Sequence, residues 1–138
     1  MKLQFWLGIF LIFLGGLIMG ISLALMTVKP AHAYEFAENW TWTDTALETT
    51  YVALTVVDWG QTRNIVNSGG KYSEINPILG KHPSMGEVDT LTPSAVIAHA
   101  LIAMALPPRY RRYWQFFFIG AEGIVVLNNY KIGLHIDF

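Results

Sequence analysis

Apolar positions along the chain fall into four long stretches, and the polar positions between and within them decide what each can be. Leu3 to Val28 contains no charged side chain, with Gln4, Ser22 and Thr27 as its polar interruptions. A bilayer core of about 30 Å takes about 20 apolar residues to cross, while the core of a secretory signal is usually ~7–15 residues, so this run is long enough for an anchor. Lys2 and the small-residue site Ala31-His32-Ala33 also fit a signal peptide whose removal would leave Tyr34 first. Residues 1–33 are therefore expected to be a signal peptide or an N-terminal transmembrane anchor, and residues 34–138 a helical membrane domain.

Residues 34–43 mix acidic and aromatic side chains, a composition that suits the headgroup surface, where a ring and a polar edge are both satisfied. Thr45-Ala46-Leu47-Glu48 forms a capping box and predicts a helix from Thr45 to about Val66. Glu48, Tyr51, Thr55, Asp58 and Thr62 lie three and four residues apart and so form one polar stripe on that helix. Asn67-Ser68-Gly69-Gly70 ends it with turn chemistry.

A polar loop is expected over 67–91, because Gly70, Pro77, Gly80, Pro83 and Gly86 punctuate it without a sustained apolar period. Unstructured loops longer than ~12–15 residues tend to carry function or disorder. Ser84 and Glu87 are spaced to cap a short turn. Thr92-Pro93 predicts the next helix, running to about Leu106, with Pro93 at the first helical position where its missing amide is harmless. Pro107-Pro108 stops it, Arg109 to Trp114 reads as a basic aromatic rim, and a last helix follows from Trp114 to about Tyr130. In that helix Gln115, Glu122 and Asn129 recur every seven residues on one stripe, and Gly120 and Gly123 permit close helix approach. The expected fold class is all-α, a small helical membrane bundle with about three helices after the N-terminal one. With four spans, Lys2, Arg63, Lys71, Lys81 and Lys131 share one side of the membrane and Lys29, Arg109, Arg111 and Arg112 the other, which leaves orientation open.

Composition agrees with lipid as the solvent. Hydrophobic residues make up 53% of the chain and charged residues 14%, against roughly 25% charged in an ordinary soluble domain. Nine Lys+Arg against ten Asp+Glu leave a net charge of -1, which offers no footprint for nucleic acid. The absence of cysteine removes disulfides, thiolate metal sites and a cysteine nucleophile.

Asp58, His99 and Glu122 are the leading candidates for chemistry, since a charge at membrane depth costs at least ~2.5–3.5 kcal/mol and is normally placed inside a bundle. With His99 between them, the two carboxylates could share a proton, hold a hard cation, or form a hydrogen-bonded core with Gln61, Thr62 and Asn129. The plainer alternative pairs Asp58 with Arg63 and leaves His99 as a packing residue. His32, His82, His99 and His135 are scattered, with no His-x-x-x-His or Glu-x-x-His pair. A metal site would have to assemble from distant residues such as Asp58, Glu74, His82 and Glu122, and no cofactor is expected. There is no Gly-x-Ser-x-Gly motif or phosphate-binding glycine loop.

The most specific strings are Asp58-Trp59-Gly60-Gln61-Thr62, Glu74-Ile75-Asn76-Pro77-Ile78-Leu79-Gly80 and His82-Pro83-Ser84. Together they resemble small bacterial and phage-encoded membrane proteins of unknown function that carry an Asp-x-x-Gln-Thr helix end and a Glu-x-Asn-Pro-x-x-Gly loop. The resemblance covers roughly Thr45 to Tyr130, including Glu122 and Asn128. It implies a helical membrane protein and no particular activity. In physical terms, Glu74 and Asn76 are placed to bond the helix end at Gln61-Thr62-Arg63 as a clasp. The expectation is a non-enzymatic protein of a bacterial inner membrane that associates with itself or a larger membrane complex. The alternative is an intramembrane acid–base enzyme or ion-handling protein using Asp58, Glu74, His99 and Glu122, and a phage-type pore-former ranks third.

Overall fold

The structure is a computed structural model and describes residues 36–138; the expected signal or anchor over 1–33 lies outside them. Among the described residues there are three helices and no strand: α1 (Trp42–Asn67), α2 (Met85–Ala105) and α3 (Pro108–Lys131). All three are longer than the apolar pattern implies. At 26, 21 and 24 residues they measure about 39, 32 and 36 Å at 1.5 Å per residue, each sufficient for a bilayer core. By length and composition together, Met85–Ala105 alone among the described helices qualifies as a membrane span. The polar stripes of α1 and α3 dilute their apolar content.

Each helix starts earlier than expected, for a local reason. Helix α1 begins at Trp42 because the capping box that forms is Thr41 with Asp44: Asp44 Oδ2 accepts from the Thr41 amide at 2.8 Å and from its hydroxyl at 2.6 Å. Thr45 instead accepts the Trp40 indole N–H at 2.9 Å, which frees Glu48 to point inward. Helix α2 begins at Met85 through the Ser84–Glu87 box, not at Thr92, so Pro93 lies inside the helix. Pro93 removes one ladder bond and sits on an exposed position. The loop between α1 and α2 is thereby shortened to residues 68–84. Helix α3 begins at Pro108, so the basic aromatic segment is its first two turns rather than a separate rim.

The bundle runs up, down, up. Contacts between α1 and α3 rise together in number, Asp44 with Gln115 and Asp58 with Asn129, so these helices are parallel. Contacts between α1 and α2 run oppositely, Glu48 with His99 and Arg63 with Asp89. Helix α1 packs most extensively on α3. Ala103, Leu106 and Trp114 form an apolar knot at one end, covered by Trp40, Ile102, Tyr110 and Phe118. Trp40 therefore packs against protein, whereas Trp42 is 88% exposed, so the expected headgroup segment divides in two.

Helix α3 ends in a Schellman motif, with the Leu134 amide donating to Asn129 O at 3.0 Å and Gly133 to Tyr130 O at 3.1 Å. Gly133 supplies the positive φ of 91° and Leu134 is fully buried. The remaining tail folds back onto α1. The Asp137 amide donates to Gly60 O at 3.1 Å, Asn67 donates to Asp137 Oδ2 at 2.7 Å, and Phe138 packs edge-on against Trp59.

The interior is more polar than that of an ordinary soluble bundle. Nine polar or charged residues are buried against seven apolar ones among the described residues. Val56, Ile97, Leu101, Phe116, Ile124 and Leu127 lie exposed on the helix surfaces. Buried polar side chains beside exposed large apolar ones are the informative departures from the ordinary pattern.

Candidate functional site

The predicted polar stripes of α1 and α3 do turn toward each other. Tyr51, Thr55 and Thr62 of α1 are buried, as are Gln115 and Asn129 of α3. The seven-residue period of α3 thus meets polar positions of α1 at successive levels, which forms a column of polar groups at two stations.

The first station holds Glu48, His99 and Gln115, one from each helix. Glu48 Oε1 lies 2.8 Å from His99 Nδ1, and Gln115 Nε2 donates to Glu48 Oε2 at 3.1 Å and to Asp44 O at 3.0 Å. The His99 ring stacks on Tyr51, centroids 3.8 Å apart, and lies 5.4 Å from the Trp114 ring. His99 is therefore neither between Asp58 and Glu122 nor a bare packing residue. Its acid partner is Glu48, whose spacing from Thr45 alone would place it in a capping box at the helix start.

The second station holds three carboxylates. Asn129 Nδ2 donates to Asp58 Oδ1 at 2.9 Å, and the Thr62 hydroxyl donates to Glu74 Oε2 at 3.1 Å. The Thr55 hydroxyl donates to Tyr51 O at 3.0 Å, one turn back along α1. Asp58 lies within electrostatic reach of both Glu122 and Glu74. No ion pair among the described residues involves any of these three carboxylates. Arg63 does not pair with Asp58; its Nη1 donates to both oxygens of Asp89, at 2.5 and 2.7 Å, beside the Trp59 indole that donates to the same acid at 2.9 Å. Tyr51 stands between the stations, with Glu48, Asp58 and Glu122 all within electrostatic reach of its hydroxyl.

The loop clasp forms through Glu74 alone. Its Oε1 accepts from the amides of Ile75 at 2.7 Å and Asn76 at 2.8 Å, while its backbone amide donates to Lys81 O at 3.0 Å. Asn76 bonds within the loop, its Oδ1 accepting from the Ile78 amide at 3.0 Å, and does not reach the helix end. Gln61 is buried, but donates to Val126 O at 3.3 Å rather than to a carboxylate. His82 is exposed. Among the described residues no three His, Asp or Glu side chains are grouped to hold a metal ion. The suggested set Asp58, Glu74, His82 and Glu122 therefore does not assemble, because His82 faces away and Glu74 is spent on hydroxyl and amide donors.

At the end where α1 and α3 begin, Arg111 is fully buried. It donates to Ala103 O at 2.9 Å and Leu106 O at 3.1 Å, carbonyls left over at the end of α2, and to Glu38 O at 2.9 Å in the turn before α1. Its guanidinium lies 4.9 Å over the Trp40 ring and 3.6 Å from Asp44 Oδ2. Burial works against the Asp44 charge, but the Thr41 hydroxyl and amide, with Arg111 and Arg112, outweigh it and hold the carboxyl below the usual range. Nothing in residue spacing pointed to Asp44 and Arg111 as partners, whereas Glu48, Tyr51 and Gln115 already stood on the predicted stripes.

Comparison with protein-family models, with curated proteins and with solved structures finds no match to this chain.

Proposed function

We propose that this chain is a small integral membrane protein whose helical bundle carries a proton-handling column through its interior. The observation that carries this is the second station: Asp58 of α1 lies within electrostatic reach of Glu122 of α3 and of Glu74 on the loop, and among the described residues none of the three has a basic partner. Ionisable groups in that position are expensive and typically mark proton relays or ion pathways. Asp58 accepts from the Asn129 amide and Glu74 from the Thr62 hydroxyl, so these acids have separate donors and do not converge on one point. Neighbouring acids without basic partners suit the exchange of protons. Tyr51 and the Glu48–His99 pair extend the column toward the opposite end.

The test is proton flux in vesicles. Purified protein reconstituted with an interior pH-sensitive dye is challenged with a pH step. Wild type is expected to dissipate the gradient faster than empty vesicles, and Asp58→Asn to return the rate to baseline while far-UV circular dichroism stays helical. Flux indistinguishable from empty vesicles for wild type would remove the proposal.

A second function, association with itself or a larger membrane complex, is favoured by the outer face of α3. Gly120 faces open space, with nothing within 4 Å of where a methyl group on it would sit, and exposed Phe116, Ile124 and Leu127 flank it. Small residues on such a face let a second helix approach. Cross-linking in native membranes that is lost in Gly120→Ile would favour it.

A further inference from the structure

The N-termini of α1 and α3 and the C-terminus of α2 share one end of the bundle. Two exposed arginines, Arg109 and Arg112, stand there in the first turns of α3. Exposed Trp42, Phe36 and Tyr113 accompany them. The acids of this end do not cancel the arginines equally. Asp44 is buried against Thr41 and Arg111 and approaches Arg112 only at 3.9 Å, while Glu38 is exposed. Helix α3 starts without a side-chain cap, so its positive dipole end adds to the potential. At the other end Lys71, Lys81 and Lys131 stand among Glu87, Asp89 and Asp137, and two helix C-termini oppose them.

Aromatic rings with one wet edge and arginines that chelate phosphate are the side chains of a membrane–water interface rich in anionic headgroups. The sequence joins the bundle at this same end: Lys29 and the apolar run Leu3–Val28 precede Phe36. We propose that the Arg109–Arg112 end binds the phosphate headgroups of anionic phospholipids, which fixes the leaflet this end faces. This rests on the bundle being membrane-embedded.

The experiment uses the full chain in nanodiscs of equal phosphatidylcholine and phosphatidylglycerol, with the lipids retained on the released protein identified by native mass spectrometry. Wild type is expected to retain phosphatidylglycerol preferentially. Replacing Arg109→Gln and Arg112→Gln together should lower that preference by about fivefold per arginine, the effect of one basic residue at an anionic surface. Replacing Lys71→Gln and Lys81→Gln should leave it unchanged. Equal retention of the two lipids by wild type, or a loss confined to the lysine variant, overturns the proposal. The headgroup comparison on the unaltered protein decides the matter even if the arginine variant folds poorly. Failure of wild type to float with vesicles would overturn membrane embedding itself, whereas flotation without headgroup preference overturns only the lipid proposal.

Discussion

Glu48 and His99 meet at 2.8 Å inside the bundle although 51 positions separate them in the chain. The second oxygen of Glu48 accepts from Gln115, so one carboxylate ties all three helices together. Truncation by Glu48→Ala leaves His99 Nδ1 and one amide hydrogen of Gln115 facing no acceptor. The expected cost is about 2–4 kcal/mol, and Glu48→Gln, which keeps the shape, should cost about 1 kcal/mol. Denaturant unfolding in mild detergent, followed by circular dichroism, measures both. A Glu48→Ala variant as stable as wild type would show that this contact does not hold the bundle together.

Asp44 predicts an acid-side loss of stability. Its carboxyl is held below its unfolded value by Thr41, Arg111 and Arg112. The stabilisation is therefore complete above the ordinary carboxylate range of ~4 and is lost as pH falls through the folded value. Thermal midpoints should fall steeply below about pH 4 in wild type and less steeply in Asp44→Asn. Replacing Arg111→Met strands a buried acid and should cost about 3–5 kcal/mol near neutral pH.

Gly60 is the seat of the C-terminal tail. A methyl group there would lie 2.6 Å from Ile136 Cγ2, closer than carbon atoms pack, and 3.2 Å from Phe138 Cζ, a tight contact. Gly60→Ala should release residues 135–138 from α1 while leaving helix content intact. Faster hydrogen exchange at the Asp137 amide, which donates to Gly60 O, reports the release. Unchanged exchange would mean that the tail shifts to accommodate the methyl.

Asn129 should matter for stability more than for the backbone course of α3. Asn129→Leu removes the donor at 2.9 Å from Asp58 Oδ1. A buried acceptor left unmet costs about 1–3 kcal/mol. Asp58→Asn keeps an acceptor oxygen in place, and is expected to unfold close to wild type. If the two variants were equally destabilised, the charge of Asp58 rather than its hydrogen bond would be the stabilising element.

Helical periodicity was legible in the sequence because it is local. Glu48, Tyr51, Thr55, Asp58 and Thr62 share a stripe by spacing alone, and so do Gln115, Glu122 and Asn129. Those stripes anticipated which faces of α1 and α3 turn inward. The all-α class followed from the same pattern. Partnership was not legible, because it depends on the register in which helices meet. Thr45–Glu48 and Thr41–Asp44 are both competent capping boxes in sequence, and only the packed bundle chose the second. Glu48 is held inward by His99, and Asp44 is buried where Arg111 arrives. The parallel offset of α1 and α3 likewise decided that Asn129 meets Asp58, and the antiparallel register of α1 and α2 that Arg63 takes Asp89 and that His99 stands apart from the carboxylate cluster. Residue spacing along one helix determines its faces; which charge finds which partner is a property of three helices brought together.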